Sequence, residues 1–243
     1  MPTPLVLLPP SEGKRSGGSR RERQGAFDDD LDAVRVEVRR RLRLVVATAT
    51  RAELETTLGV RGELFERAHR ALLALLAGEA ALRPVWQRYS GVVWSHLEPE
   101  TLSVAQRRRL IVPSGLYGLN AGDDVVADYR LKMSARLAGS SLGSLWRPVI
   151  ATTLARHAKG RVVYDLLPAE HRSVLNPVDL AATKVVTVTF RHARDGRLAG
   201  HDAKAAKGAF ARHLLESGQV ESFSWRGWFA RGDATHIDVL YDG

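Results

Sequence analysis

Short apolar runs closed by proline or glycine alternate along this chain with stretches whose apolar residues recur at spacings of three and four. A period of two fits a strand and a period near 3.6 fits a helix. A chain that switches between them from end to end is confined to α/β or α+β architectures. The clearest strand is Lys184–Arg191, where Val186, Val188 and Phe190 alternate with Thr187, Thr189 and Arg191. The runs PLVLL (4–8) and Leu110-Ile111-Val112 read as buried strands, ended by Pro9-Pro10 and by Pro113. Further strands are predicted over 162–167, 221–229 and 235–241, with a short strand or extended turn over 89–94.

Helices fall between these runs. Asp28-Asp29-Asp30 places negative charge at a helix start, followed by Leu31, Val34, Val38, Leu42 and Val45. Thr50-Arg51-Ala52-Glu53 reads as a capping box, and Leu64 to Leu76 form a helix ending at Gly78. Others are predicted over 99–109, from Ser140-Ser141 through Leu154, and over 201–217, the last rich in cations. Pro148 must sit early in its helix or kink it. Arg39, Arg40, Arg41 and Arg43 read as a solvated face. No fixed-period repeat is present, so residues 1–243 are expected to form one domain around a mixed sheet flanked by helices.

Charge narrows the partners. A formal charge of +9, mostly from arginine, favours phosphate-bearing ligands, nucleic acid first among them, although it defines no site. The apolar stretches are too short to cross a bilayer, the N-terminus lacks the pattern of a signal peptide, and cysteine is absent. These features predict a cytoplasmic protein without disulfides or thiolate metal sites.

Three stretches carry candidate chemistry. Residues 9–27 read as a flexible basic loop, with Ser11, Glu12, Lys14 and Arg15 ahead of Ser16-Gly17-Gly18-Ser19-Arg20-Arg21. The block 110–133 places Ser114-Gly115-Leu116-Tyr117-Gly118 after a strand and Tyr129-Arg130 further on. On the predicted basic helix, Lys204 and Lys207 share a face, Gly208 permits close approach, and Arg212 follows a turn later. No P-loop, dinucleotide fingerprint, hydrolase triad or metal-ligand spacing appears, and no cofactor is predicted.

Four blocks together resemble the YaaA peroxide-stress family in its actinobacterial form. They are LVLLPPSEGK at 5–14; SGLYG at 114–118 with Tyr129-Arg130-Leu131 and Met133; the segment around Trp146; and His201-Asp202-Ala203-Lys204-Ala205-Ala206-Lys207-Gly208. The resemblance implies a bacterial cytoplasmic protein of mixed α/β fold with a basic cleft. It also implies DNA binding through a helix–hairpin–helix-like element and protection against peroxide and iron damage. Asn120-Ala121-Gly122 departs from the family's usual Arg-Pro, and Ala205 and Ala206 stand where basic or polar residues are common.

Two functions remain open on these residues. A DNA binder would meet phosphates with Ser11, Lys14, Gly115, Gly118, Tyr129, Arg130, Lys204, Lys207, Gly208 and Arg212. In that reading Gly115–Leu119 forms a hairpin at the DNA, and Gly118→Val abolishes DNA retention. The alternative is an enzyme acting on a nucleotide, nucleoside or other phosphorylated small molecule, with Glu12, Ser114, Tyr117 and Lys204 as catalytic candidates. Arg130 either faces that ligand or pairs with Asp128 or Asp124, and Tyr117 and Tyr129 either stack on a base or pack in the core. A protein-binding scaffold would instead expose an apolar patch around Trp225 and Trp228.

Overall fold

The structure, a computed structural model, describes residues 3–19, 24–175, 180–181, 183–200 and 203–242. Arg20 and Arg21 of the basic loop and His201 and Asp202 of the basic motif lie outside the described residues. The described strands are β1 (Leu5–Leu7), β2 (Leu82–Pro84), β3 (Leu110–Ser114), β4 (Gly118–Ala121), β5 (Val125–Ala127), β6 (Arg136–Leu137), β7 (Ser140–Ser141), β8 (Val162–Asp165), β9 (Lys184–His192), β10 (Ser224–Trp225), β11 (Trp228–Gly232) and β12 (His236–Tyr241). The helices are α1 (Asp28–Thr48), α2 (Arg51–Leu58), α3 (Gly62–Leu76), α4 (Val85–Arg88), α5 (Val92–Leu97), α6 (Val104–Arg107), α7 (Leu142–His157), α8 (Ala169–Arg172) and α9 (Ala203–Ser217).

Eight described strands form one mixed sheet in the order β10-β11-β12-β9-β8-β1-β3-β4. Its centre, β12-β9-β8-β1-β3, is parallel throughout, and the antiparallel strands sit at the two edges. Parallel strands are covered on both faces, which is why β1 and β3 are wholly buried and carry continuous apolar runs. Within the parallel set the chain runs from β1 to β3 on one side, then returns to β8 on the other. The strand order therefore reverses at the β1/β8 boundary, where Leu7 stands opposite Asp165. Open α/β sheets bind their ligands outside the carboxyl ends of the strands at such a reversal.

The α1 stripe facing the core is Leu31, Arg35, Val38 and Leu42. Arg35 tolerates burial there because its guanidinium donates to the Tyr117 and Leu119 carbonyls at 2.9 and 3.2 Å and pairs with Asp28 and Asp32. The predicted capping box is formed: Thr50 accepts from the Glu53 N–H while Glu53 reaches back to the Thr50 N–H. Pro148 lies inside α7.

Three local expectations are corrected. Residues 89–94 do not form a strand; Val92 to Leu97 make a helical segment packed across α9, and that contact outweighs the β-branched run. The single helix expected over 99–109 is split into a 3₁₀ turn, Pro99–Thr101, and α6, because Ser103 starts a second capping box with Gln106. The strand expected over 221–229 is a hairpin of β10 and β11, turned at Arg226-Gly227 where both residues have positive φ.

Candidate functional site

The loop after β1 is tied to the chain around Tyr89 instead of lying free. Ser11 donates its hydroxyl proton to the Ser90 carbonyl, Lys14 pairs with Tyr89 as a β-bridge, and Ser19 pairs with Leu82. The cause is Arg88, which is fully buried and spends its donors on the carbonyls of Arg15, Gly17, Ala81 and Val126. A desolvated guanidinium needs acceptors, and the loop backbone supplies two of them.

Beside this loop lies a pocket of about 320 Å³. Ser11, Glu12 and Lys14 enter it from the loop after β1, Tyr129, Arg130 and Lys132 from the segment after β5, and Glu170 and His171 from α8 after β8. It therefore stands at the β1/β8 reversal. In the extended chain around Leu131, that side chain turns inward while Arg130 and Lys132 turn out.

Lys14 is the centre of the pocket's electrostatics. Its Nζ donates to the Ser11 carbonyl at 2.8 Å and lies 5.2 Å from the Tyr89 ring centre and 4.5 Å from that of Tyr129. Burial, and then the neighbouring positive charge of Arg130, bring its amine down to about 7. Arg130 pairs with neither carboxylate considered from sequence. Asp128 takes Arg67 at 2.7 Å, and Asp124 accepts the backbone N–H groups of Ala26 and Ala121.

Behind Lys14 runs a line of hydroxyls. Tyr129 Oη is 2.7 Å from Ser114 Oγ and 2.7 Å from Tyr89 Oη. Ser114 accepts from the N–H groups of Leu116 and Tyr117, so its own proton points to Tyr129, and the Tyr129 proton points on to Tyr89. Burial pushes the Tyr129 phenol up to about 12 and Tyr89 well above its ordinary value. Ser114 is thus a fully buried anchor for the β3–β4 turn, with no access to the pocket except through Tyr129. Tyr117 is also in the core, where its hydroxyl accepts from the Ala127 N–H.

The glycine hairpin is corrected as a DNA-facing element. Residues 110–121 are buried throughout. Trp146 donates to the Gly115 carbonyl at 2.9 Å, and a side chain on Gly118 would meet the Trp146 ring at 2.6 Å. Gly118 serves close packing under α7, and Gly115 serves close packing against the Leu131 and Lys132 carbonyls. Gly208 has the same role between α9 and α5, since its missing side chain makes room for the Val93 carbonyl and His96. Arg212 closes the end of α5, donating to the Leu97 and Glu98 carbonyls and the Thr101 hydroxyl.

The spatial proposal from sequence is met in part. Lys14 and Arg130 share one pocket, whereas Lys204 is exposed in the first turn of α9 and does not line it. Lys207 is drawn over the Phe190 ring at 5.4 Å; burial lowers its amine to about 8, against the opposing pull of Asp165. Glu12, considered as a general base, has a side chain 82% exposed and lies 4.0 Å from Lys132. The polar pocket residues not singled out from sequence are Lys132 and Glu170, with His171 noted only as one scattered histidine, and Tyr89 behind the pocket was missed as well. Only Lys132, two positions from Arg130, carried a local signal.

The fold is an α/β protein with a pocket at its strand-order reversal, and comparison with known sequences gives the family. The chain belongs to the family described as peroxide stress protein YaaA, whose model matches residues 5–228. It is similar to a UPF0246 protein of Streptomyces coelicolor, 34% identical, covering 88% of this chain and 84% of that protein. A UPF0246 protein of Ruegeria is 33% identical, over 60% of this chain and 63% of that one. One from Burkholderia mallei is 31% identical, over 82% and 79%. Among the described residues no helix is long and apolar enough to cross a membrane.

Proposed function

We propose that this peroxide-stress family member works by holding a phosphorylated ligand of nucleotide size in the pocket at the β1/β8 reversal. One observation carries the reading: Lys14 and Arg130, remote in sequence, line a single pocket in which one of the two carboxylates is already engaged. Glu170 accepts from Ser134, and Glu12 faces Lys132. The volume of about 320 Å³ lies near the lower end of the range for small-molecule sites, roughly 300–1,000 Å³. The deciding experiment is a nucleotide and sugar-phosphate panel read by thermal shift, repeated on Arg130→Gln. Stabilisation by a phosphorylated compound that is lost in the variant supports the site; an unresponsive wild-type protein removes it.

DNA is the second reading, favoured by the charge of +9 and the exposed Lys204 on α9. It places the protein in the cytoplasm, limiting oxidative damage while engaged on nucleic acid through surface cations. Duplex retention measured at two salt concentrations tests it, because contacts to several phosphates give a steep salt dependence. Salt-independent or absent retention would rule it out.

A further inference from the structure

The environment of Lys14 is unusual for a surface-loop lysine. Its Nζ rests over two tyrosine rings, has one carbonyl acceptor, and forms no ion pair among the described residues, yet it borders an open pocket. Arg130 borders the same pocket and brings a second cation to it. A partly desolvated amine beside a second cation is the arrangement that favours a nucleophilic lysine.

We propose that Lys14 is a carbonyl-reactive residue whose ligand is an aldehyde carried on a phosphorylated molecule, with Arg130 and Lys132 holding the phosphate. The phosphate half rests on the function proposed above; the amine chemistry does not. In the step, the Lys14 nitrogen bonds to the aldehyde carbon. Its two protons leave with the carbonyl oxygen as water, and a C=N bond remains. No oxidant or reductant takes part. The lowered basicity of Lys14, near 7, supplies neutral amine at neutral pH, where an ordinary lysine is almost wholly protonated. The shared ligand chemistry, an aldehyde beside a phosphate, occurs in a free open-chain sugar phosphate and at an abasic position in DNA.

The test uses the full-length protein with pyridoxal 5′-phosphate at pH 7, reduction by borohydride, and peptide mass mapping. The expected result is one adduct per chain on Lys14, favoured roughly tenfold or more over an exposed lysine outside the pocket such as Lys204. Adducts spread over exposed lysines with Lys14 spared would overturn the proposal. Pyridoxal without its phosphate separates the two halves. Slower labelling of Lys14 supports both, whereas equal labelling keeps the amine chemistry and removes the phosphate site. A nucleotide that stabilises the protein while Lys14 stays unlabelled does the reverse. Borohydride trapping with ribose 5-phosphate and with an abasic duplex then assigns the source, and trapping of neither overturns the ligand class.

Discussion

The Nζ of Lys14 lies 4.5 Å from the centre of the Tyr129 ring, whose hydroxyl is held at 2.7 Å by Ser114 in the core. Strand β3 thereby sets the position of the ring on which the pocket's amine rests. Two of the blocks that were legible in sequence are joined through this contact, the loop after β1 and the segment after β5.

The first consequence is a pH dependence of stability. Lys14 titrates near 7 in the folded protein and near 10.5 when unfolded. Between those values the unfolded chain binds a proton that the folded chain does not, so stability rises with pH across that window. The contribution is up to about 1.4 kcal/mol per pH unit. Below pH 7 both forms are protonated and the cost of the buried ammonium is fully present. In urea unfolding, Lys14→Met is expected to gain on the wild type at pH 6 and to keep less than half of that gain at pH 9, the rest disappearing only toward pH 10.5. A difference that does not move with pH would contradict the burial of the amine.

Arg130→Gln separates ligand binding from folding. With no hydrogen bond or ion pair to Arg130 among the described residues, the melting temperature should stay within a degree or two, as for surface substitutions of roughly 0.5 kcal/mol or less. Affinity for a phosphorylated ligand should fall by about tenfold or more, the worth of one charge-assisted contact. Arg130 also lowers the Lys14 amine, so the variant should shift the Lys14 titration upward, as read by NMR of the dimethylated lysine. A large drop in melting temperature would instead make Arg130 a structural residue.

Gly118→Ala is expected to weaken the whole fold. Gly118 has φ near +75°, where a side chain is strained, and the new methyl would meet the Trp146 ring at 2.6 Å. Backbone strain and overpacking together should cost about 2–5 kcal/mol in denaturant unfolding. A variant of wild-type stability that had lost only nucleic-acid binding would restore the hairpin as a contact surface.

Tyr129→Phe removes the middle of the hydroxyl line. Ser114 and Tyr89 are buried and would each lose a partner, so unfolding free energy should fall by about 1–3 kcal/mol. Adding Tyr89→Phe should then cost less than it does in the wild type, a coupling measurable by a double-mutant cycle.

Much of the element order was legible in sequence because each element needs only its own periodicity. The runs at 4–8 and 110–112, the alternation in 184–191 and the Thr50 capping box all correspond to features of the structure. The errors arose where distant contacts overrode local pattern. Val92 and Val93 are helical because α5 lies against α9 at Gly208, and a glycine motif suited to a phosphate is instead filled by Trp146. Arg35 and Arg88 gave no hint of burial, since the carbonyls that receive their guanidiniums come from elsewhere in the chain.

By itself the sequence determined that strands and helices interleave, that the protein is cationic, and that Lys14 and Arg130 stand beside chain turns. Side-chain period, net charge and turn chemistry are properties of neighbours along the chain. Only the tertiary structure decided that β1 sits between β3 and β8, that Arg130 joins Lys14 while Lys204 does not, and that the glycines are packed inside. Those outcomes depend on which strands pair and which surfaces lose water together, and no short stretch of sequence contains both partners.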